Sequence, residues 1–401
     1  MIIVIIVPSK LTVPAVNGGA IETLIQNFID ENEIQQRVEI IVVSPFSQEA
    51  FSASKTYFFS KFIWVKRNNF DFIFKVILKA YNFINRIFLT KKNPLSVETE
   101  KIKRIIKNLN YDFLLIEGNG NYLHHFANIV PKSKLFFHIH SYYHCNSNKF
   151  NKYLMELPCK IISVSDFIKN SLVDNLSIDA NKIITVKNCI GKQFFNEFDQ
   201  GKNEYVIDKS KLNIVFTGRI VKEKGIIELV RALSKLKNIG NWHLHIIGSF
   251  GSSFGLVNNT NNITSENEIK YELSKIEGRY TIHGYVSNKV IPNFYNNYDL
   301  ALAPSICKDA APLVIGEYIS SGIPIIASDQ GGIPEYLDNE CGVIVGLDDD
   351  FVEKLSLTIK NFLENDKILK KMSENCIKNK LKFSSKIYYD KIIEVLVKNS
   401  I

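Results

Sequence analysis

The stretch Asn213–Gly225, NIVFTGRIVKEKG, decides the fold because it joins a strand to a helix through a charged turn. Its apolar start predicts a buried strand over 213–216, and a helix is predicted to begin near Gly225. In open α/β sheets, the turn after the carboxyl end of a strand is where ligands bind. Arg219 offers a planar fork for phosphate oxygens, and Lys224 offers a point charge near the helix start. Taken alone, the turn could equally be an ordinary charged connection, and it is not a Walker A loop.

The same alternation of short apolar runs and helical patterns continues on both sides of this stretch. Strands are predicted at 2–7, 38–43, 112–116, 135–139, 161–164 and 183–186, and then at 213–216, 243–247, 280–283, 300–304, 323–327 and 342–345. Short continuous strands separated by helices are typical of buried parallel sheets. The sequence therefore predicts an α/β protein with two Rossmann-like domains, 1–188 and 211–383, and a terminal helix at 384–401 that could return to the first domain.

Length and composition agree with this organisation. A chain of 401 residues allows two or three domains, and 46% hydrophobic residues exclude wholesale disorder. The apolar start MIIVIIVP lacks the basic leader and cleavage site of a signal peptide, so it is predicted to be a buried strand. Six dispersed cysteines argue against a zinc ribbon or a disulfide scaffold and favour a cytoplasmic protein. Gly248–Asn267, rich in Gly, Ser and Asn, is predicted to be a mobile loop.

A second cluster of polar residues follows another predicted strand of the second half. Asp309 and Glu317 are eight residues apart, and Pro312 between them favours a helix start. The backbone N–H groups of Leu313 and Val314 would then form a cradle for phosphate or sugar oxygens. Glu317 lies among apolar residues, and a buried carboxylate there would need a partner such as ligand hydroxyls. The alternative is that Asp309 caps the helix and Glu317 faces solvent.

Three further features are candidates for a site. Paired glycines precede a Pro-Glu helix start at 331–335, where a structural role is favoured. Gly18 and Gly19 link the first strand to the first helix and would let the backbone approach a diphosphate, although they form no GxGxxG fingerprint. His138 and His140 lie on one face of a predicted strand, and His140, at its end, is better placed to meet a ligand. A metal site at these histidines is the alternative, but the sequence offers no convincing carboxylate support for it, so no metal is expected.

Together these motifs resemble those of glycosyltransferase family 4, whose members have the GT-B fold. The resemblance covers most of the chain and is most specific over 212–346, where GR-x4-KG, D-x7-E and SGIPIIASDQGGIPE occur in that order. It implies two Rossmann-like domains facing a central cleft, with a nucleotide-sugar donor, expected to be a UDP-sugar, held mainly by the second. It also implies a retaining transfer, without metal or other cofactor, to a lipid-linked or growing cell-surface glycan such as capsule, O-antigen or exopolysaccharide.

The resemblance also assigns roles by position. The residues expected to bind the donor are Gly18, Gly19, Arg219, Lys224, Asp309, Leu313, Val314 and Glu317. Those expected to take part in catalysis are His140, Asp309, Arg219 and Lys224. Within these sets Arg219 and Lys224 would hold the diphosphate, Asp309 the hydroxyls of the donor sugar and Glu317 the ribose. His140 would lie near the reacting sugar.

This sequence departs from the family pattern at the start of D-x7-E. The family usually has E-x7-E, so Asp309 is one methylene shorter, and the family's EGFG-like run is DAAP here. These changes bear on the identity of the donor sugar more than on activity. Two other functions fit a GT-B architecture, a sugar-nucleotide epimerase and a non-catalytic subunit that stabilises a partner transferase. The joint presence of Arg219, Lys224, Asp309 and Glu317 argues against the non-catalytic subunit.

Tyr57–Lys92 contains most of the excess positive charge. The chain has 49 Lys and Arg against 41 Asp and Glu, a net charge of +8. This segment contains eight basic residues and one acidic residue, Asp71, so its net charge is +7. The other 365 residues together have a net charge of +1. Eight phenylalanines lie among the basic residues of the segment, with Phe72, Val76 and Phe83 at helical spacing. The pattern predicts a helix on an anionic membrane surface, and hence peripheral association with the inner face of the cell membrane. The alternative is a helical hairpin packed on the first domain; no nucleic-acid motif accompanies the charge.

Overall fold

The computed structural model describes residues 1–8, 11–66, 71, 76–79, 96–195, 207–251 and 260–398, without the side chains of 260–265. The backbone divides into two compact units, Met1–Lys187 with Ser385–Ile401, and Asn188–Ser384. Each unit contains one parallel sheet with helices in the connections between its strands. The predicted fold class, α/β with two Rossmann-like domains, is confirmed.

The sheet of the first domain has seven parallel strands. They are β1 (Ile2–Ile6), β2 (Glu39–Pro45), β3 (Ser60–Val65), β4 (Phe113–Glu117), β5 (Leu135–Ile139), β6 (Lys160–Ser163) and β7 (Ile183–Thr185). Their order is β3-β2-β1-β4-β5-β6-β7, so the direction of winding reverses between β1 and β4. The central strands are runs of Ile, Val, Leu and Phe buried almost completely, as expected of a sheet covered on both faces. Such a reversal opens a crevice beside the carboxyl ends of β1 and β4.

Polar caps define the starts of several helices in this domain. The α-helices whose two ends lie in the described part of 1–187 are α1 (Ala20–Gln35), α2 (Gln48–Ser54), α3 (Val97–Lys107), α4 (Asn121–Phe126), α5 (Lys149–Glu156) and α6 (Asp166–Leu176). Side-chain oxygens of the residues before α2, α3, α5 and α6 accept a backbone N–H of the first turn; these residues are Ser47, Ser96, Asn148 and Ser165. Each such cap satisfies one of the donors that a helix start leaves unpaired.

The second domain is built in the same way on six parallel strands. They are β8 (Leu212–Thr217), β9 (Trp242–Ile247), β10 (Tyr280–Gly284), β11 (Leu300–Ala303), β12 (Ile325–Ser328) and β13 (Gly342–Val345), in the order β10-β9-β8-β11-β12-β13. Its helices are α7 (Ile226–Lys235), α8 (Thr260–Ser274), α9 (Ile291–Tyr295), α10 (Leu313–Ser320), α11 (Ile333–Tyr336), α12 (Phe351–Glu364) and α13 (Asp366–Asn379). Alternate residues of β8 enter two apolar clusters, Ile214 and Phe216 one and Val215 the other. The two faces of the sheet are therefore both buried.

Asn188, predicted as the end of the first domain, and residues 189–195, which the sequence leaves between the two predicted domains, belong to the second unit. Ile190 and Phe194 are buried in the apolar cluster that contains Val215. The Ile190 N–H donates to the carbonyl of Phe383 at 3.0 Å, which joins this segment to the end of the unit. The second unit therefore starts about 20 residues before the predicted 211.

The last helix, α14 (Ser385–Lys398), returns to the first domain and packs on α1. The Tyr389 hydroxyl donates to Asn32 at 2.7 Å, and the Tyr389 ring lies 5.0 Å from that of Phe28. Arg37 forms an ion pair with Asp390 at 2.7 Å. Because these apolar and polar contacts are with α1 and its end, the terminal helix belongs to the first domain, to which the sequence suggested it could return.

The structure corrects the prediction that Tyr57–Lys92 is helical, at the start of that segment. Ser60–Val65 forms β3, the edge strand of the first sheet, where a surface helix or helical hairpin was predicted. Successive side chains of KFIWV point to opposite faces of the sheet, and its β-branched and aromatic residues fit a pleated strand. Phe62 and Trp64 point the same way and their rings stack at 5.7 Å. Much of the remainder of the predicted helix, including Phe72 and Phe83, lies outside the described residues.

A second correction concerns Gly248–Asn267, predicted to be a mobile loop. Helix α8 begins at Thr260 within this segment, while 252–259 lie outside the described residues. The Asn-rich start has weak helix propensity, but Ile269 and Leu273 further along α8 are buried in the core. Tertiary packing therefore outweighs local propensity there. Of the helices in the described residues, none is both long and apolar enough to cross a membrane.

Candidate active site

Three neighbouring strands of the second sheet place the conspicuous motifs at one edge. β8 pairs with β11, and β11 pairs with β12, all in parallel. Arg219 and Lys224 follow β8, Asp309 follows β11, and Gly331 follows β12. Because parallel strands end at the same side of a sheet, residues far apart in the sequence meet there.

The loop after β8 packs closely on the segment that leads to Asp309. Gly225 has a φ of +72°, and a Cβ on it would lie 1.8 Å from the carbonyl oxygen of Pro304. The carbonyl of Glu223 accepts hydrogen bonds from the Ser305 hydroxyl and the Ile306 N–H, both at 3.1 Å. The glycine of GR-x4-KG is therefore required for the close approach of two loops, and not only for a turn.

The packing at Gly225 predicts a measurable loss of stability on substitution. Gly225→Ala is expected to lower the free energy of unfolding by about 1–3 kcal/mol more than Gly278→Ala, because the new methyl group must displace the carbonyl of Pro304. Gly278 is the matched control, since its φ is +77° but a Cβ there meets no atom within 4 Å. Urea denaturation of both variants measures the difference. Equal losses would show that the contact is not tight.

Lys224 and Asp309, chosen from separate motifs, form an ion pair between Nζ and Oδ2. Their side chains are 29% and 17% exposed, so the pair is partly buried and still reachable by a ligand. The backbone of Asp309 is also fixed, since its carbonyl accepts the N–H of Gly332 at 2.7 Å. A Cβ on Gly331, whose φ is +64°, would lie 2.1 Å from the same oxygen. The paired glycines start α11, as predicted, and they also hold Asp309 in place.

Arg219 differs from Lys224 in having no acidic partner. It is exposed, and within the described part of the second domain it forms no ion pair. Lys224 is largely neutralised by Asp309, so Arg219 is the uncompensated positive charge of this loop. A planar guanidinium in this position can bind two phosphate oxygens at once.

Glu317 lies one helical turn inside α10 and is largely enclosed. The Tyr295 hydroxyl donates to its Oε2 at 3.1 Å. Burial raises the pKa of the Glu317 carboxyl from 4.5 to about 7. This single hydrogen bond leaves acceptor positions that ligand hydroxyls could fill, so the solvent-facing alternative does not describe Glu317.

Helix α10 is fixed against the end of β8 by a second tyrosine. The Thr217 N–H donates to the Tyr318 hydroxyl at 2.7 Å, and the rings of Tyr318 and Tyr295 lie 5.1 Å apart. Pro312 precedes α10, as predicted, so the N–H groups of Leu313 and Val314 lie in its first turn without intrahelical partners. The sequence motifs did not indicate either tyrosine.

In the first domain, the crevice between β1 and β4 is bordered by the glycine turn before α1. Gly18 and Gly19 have φ values of +75° and +100°, which favour glycine. A Cβ on Gly19 would lie 2.2 Å from Oε2 of Glu22, so the glycine makes room for that carboxyl group. Burial, together with the charge of Glu117, raises the pKa of Glu22 to about 7. Glu22 is thus a buried carboxyl group that can hold a proton near neutral pH.

His140 lies at the end of β5 and contacts a carboxylate that the sequence did not indicate. Its Nε2 is 2.6 Å from Oε2 of Glu117, the last residue of β4, and Nδ1 of His138 is 3.1 Å from the same oxygen. Burial opposes the ionisation of Glu117, but the two histidines lower its pKa to about 2. Burial and His138 lower the pKa of His140 to about 4, although Glu117 acts in the opposite direction. At neutral pH the site therefore combines an ionised Glu117 with a neutral His140.

These three residues are also the group within the described residues that could hold a metal ion. One donor atom from each of Glu117, His138 and His140 lies within 4.8 Å of the others. The statement that the histidines lack carboxylate support is wrong, because strand pairing brings Glu117 opposite His138. The carboxylate of Glu117 is already used as an acceptor by both histidines, whereas Nε2 of His138 is buried without a partner. The absence of a metal stays a prediction.

Comparisons with known proteins agree with this geometry. Residues 197–382 match the family model for glycosyl transferases group 1. An uncharacterized 41.2 kDa protein in the cps region of Klebsiella pneumoniae is 26% identical over 341 residues, 82% of this chain and 84% of that protein. The lipopolysaccharide 1,2-N-acetylglucosaminetransferase of Salmonella typhimurium is 26% identical over 209 residues, 52% of each chain. Anabaena Alr3699/HepE, solved with UDP and glucose, has a TM-score of 0.74 at 14% identity, covering 99% of this chain and 100% of that one.

Two parallel-sheet domains, with these motifs at the sheet edge of the second, define a glycosyltransferase of the GT-B class. The family model for group 1 glycosyl transferases covers nearly all of the second domain. Assignment to family 4 is compatible with that match and stays a prediction.

Proposed function

We propose that this glycosyltransferase moves a sugar from a nucleotide-sugar, expected to be a UDP-sugar, to a lipid-linked or growing cell-surface glycan. The observation that carries the proposal is the ion pair of Lys224 with Asp309 in the loop that also contains Arg219, which has no acidic partner among the described residues. Two relatives support the glycan class, since one lies in a cps region and the other acts on lipopolysaccharide. The structural neighbour with UDP and glucose supports the donor class. Capsule, O-antigen and exopolysaccharide synthesis all use acceptors of this kind.

The second domain would bind the donor through the residues gathered at its sheet edge. Arg219 and Lys224 would contact the diphosphate, and the N–H groups at the start of α10 would add neutral donors to it. Asp309, held by its backbone, would accept hydroxyls of the donor sugar. Glu317 would accept hydroxyls of the ribose. In the first domain, Gly18 and Gly19 would contact the diphosphate and His140 the reacting sugar.

A panel of nucleotide-sugars tests this assignment of the donor. One or more UDP-sugars are expected to raise the melting temperature of the protein, because a ligand that binds only the folded state stabilises it. The matched sugars carried by other nucleotides provide the controls. If the panel left the melting temperature unchanged at millimolar ligand, the second domain would not be a nucleotide-sugar site.

The arrangement of charges predicts a retaining, metal-independent transfer. Positive side chains and helix N–H groups would stabilise the leaving diphosphate in place of a divalent cation. No pair of carboxylates suited to double displacement is evident at Asp309, so the acceptor hydroxyl is expected to attack from the face that the diphosphate leaves. NMR of the product measures the anomeric configuration, which should match that of the donor. Turnover should persist in a chelator; an inverted product or loss of activity would contradict the mechanism.

We also propose that the enzyme binds an anionic membrane surface through the beginning of Tyr57–Lys92 and its surroundings. Lys66 and Lys55 place their ammonium groups 4.6 Å and 5.1 Å from the ring centroids of Phe46 and Phe51. Phe58, which precedes β3, is 85% exposed. Exposed aromatic rings with adjacent lysines suit the boundary between lipid headgroups and acyl chains.

Liposome co-sedimentation tests this surface. The protein is expected to sediment with vesicles that contain anionic lipid at low salt, and not with neutral vesicles. Changing Lys55 and Lys66 to glutamine should weaken binding, since each basic residue near such a surface contributes about 1 kcal/mol. The same change at Lys367 and Lys371, exposed on α13 of the second domain, is the control. Equal sedimentation with both lipid types would refute the proposal.

A further inference from the structure

We propose that Glu117 is a positioning residue that fixes the tautomer of His140, so that Nδ1 of His140 accepts a hydrogen bond from a sugar hydroxyl. The inference rests on the proposed function, in which His140 lies near the reacting sugar. It concerns Glu117, a residue to which neither the motifs nor the resemblance assigned a role.

The tautomer follows from the geometry of the hydrogen bond. An ionised carboxylate has only acceptors, so the His140 Nε2 that lies 2.6 Å from Glu117 must carry a proton. A neutral imidazole has one N–H, and Nδ1 of His140 is therefore left with its lone pair. Within the described part of the first domain, that nitrogen has no hydrogen-bond partner. It is thus an unused acceptor at the carboxyl end of β5.

The carboxylate is itself held so that it cannot turn away from His140. Glu117 and His138 are paired across β4 and β5, and Nδ1 of His138 donates to the carboxylate at 3.1 Å. The ring of His138 packs between that of His140, at 4.0 Å, and that of Tyr388, at 6.3 Å. The terminal helix therefore contacts this cluster through Tyr388.

The two histidines are not equivalent. Nε2 of His138 is enclosed and has no hydrogen-bond partner, so His138 can serve only the carboxylate. The side chain of His140 is 5% exposed, whereas that of His138 is fully buried. Glu117, whose Oε2 lies 2.6 Å from Nε2 of His140, is the carboxylate that orients this ring. Orientation of an imidazole by a buried carboxylate is a known way to select one tautomer.

NMR of protein labelled with ¹⁵N-histidine tests the tautomer directly. The resonances of His140 are assigned by their loss in His140→Asn. The wild-type protein near neutral pH is expected to show a protonated Nε2 and an unprotonated Nδ1 for this residue. Protonation of Nδ1, or of both nitrogens, would overturn the proposal. Loss of the Nε2 proton on adding Zn²⁺ at stoichiometric concentration would overturn it too, because the cluster would then be a metal site.

Kinetics of three variants test the consequence for turnover. In Glu117→Gln the amide offers both a donor and an acceptor, so the ring is expected to occupy both tautomers. The turnover number should then fall by about 10²–10⁴-fold, with the KM for the donor within about three-fold of wild type. Glu117→Asp keeps an acceptor and should recover part of the loss. Glu39→Gln, which removes a surface ion pair with Lys61, is the control.

Failure of this inference is distinguishable from failure of the proposed function. If no donor is consumed by the wild-type protein, the function is wrong, while the NMR measurement still decides the tautomer. If donors are consumed and Glu117→Gln retains the turnover number of Glu39→Gln with His140 in one tautomer, Glu117 has no positioning role. If Glu117→Gln does not fold, the wild-type spectrum alone decides.

Discussion

Lys224→Ala is expected to reduce the turnover of the nucleotide-sugar by about 10²–10³-fold, the usual effect of removing one group that stabilises a developing negative charge. Lys224 lies beside the position proposed for the diphosphate, and it also holds Asp309 by an ion pair. The variant therefore loses a positive charge and leaves a partly buried carboxylate unpaired. Arg219→Ala should give a loss of similar size with little change in melting temperature, because Arg219 is exposed and holds no acidic residue.

The matched control for Lys224→Ala is Lys222→Ala in the same loop. Lys222 has the same charge, and its ion pair is with Glu268 on α8 instead of a predicted site residue. Steady-state turnover and melting temperature are measured for both variants. If Lys224→Ala and Lys222→Ala kept turnover within about three-fold of each other, the loop would not be the diphosphate site and the account of the second domain would be wrong.

Glu317→Gln is expected to weaken donor binding by about 10–100-fold and to remove its dependence on pH near neutrality. Hydrogen bonds from neutral groups to a charged one contribute about 1.5–3 kcal/mol, and each 1.4 kcal/mol is a factor of ten. Glutamine keeps an acceptor for Tyr295, so the fold should survive. The substitution removes only the negative charge of the carboxylate, which is proposed to bind the two ribose hydroxyls.

The direction of the pH dependence follows from the raised pKa of Glu317. In the free protein this carboxyl group titrates at about 7, because burial disfavours its charged form. Ribose hydroxyls donate to the ionised form, so donor affinity should increase as pH rises through 7. Folding stability, in contrast, should decrease as pH rises between 4.5 and 7. In that range Glu317 is ionised in the unfolded chain, whereas in the folded protein burial keeps it protonated.

Isothermal titration with a UDP-sugar between pH 6 and 8 measures this effect. Glu353→Gln, which removes a surface carboxylate paired with Lys235, is the control and should bind as the wild-type protein does. A wild-type affinity that is flat across this range, or a pH dependence that survives in Glu317→Gln, would contradict the role given to the carboxylate.

The sequence predicted best where a motif is local and its strand is short and apolar. The turn from β8 to α7 and the start of α10 at Pro312 depend on residues within a few positions of each other. Their meeting could also be foreseen, because the carboxyl ends of parallel strands lie on one edge of a sheet. The pairing of Lys224 with Asp309 is a direct consequence of β8 and β11 being neighbours.

The cluster in the first domain was harder to predict because it depends on strand order and register. Glu117 ends an apolar strand, which was the available signal, but nothing nearby in the sequence connects it with His140. Only the pairing of β4 with β5 places Glu117 opposite His138 and within reach of His140. Glu22 illustrates the same point, since its raised pKa arises from burial and from Glu117 on a different element.

The edge strand β3 was missed for a different reason. Its lysine and aromatic residues also suit a membrane-facing helix, and composition alone does not separate the two structures. The short run of β-branched and aromatic residues in KFIWV is the feature that favours a strand. A positively charged surface is therefore compatible with a strand in this region, and liposome co-sedimentation tests whether that surface binds a membrane.

The central claim is that the second domain positions a nucleotide-sugar for transfer. Release of nucleoside diphosphate from a panel of nucleotide-sugars, measured with and without acceptor lipid extracted from bacterial membranes, tests it most directly. The account predicts that at least one UDP-sugar is consumed by the wild-type protein, faster with the acceptor, and that Arg219→Ala slows this release by about 10²–10³-fold. Consumption of no donor, or undiminished release by Arg219→Ala, would contradict it.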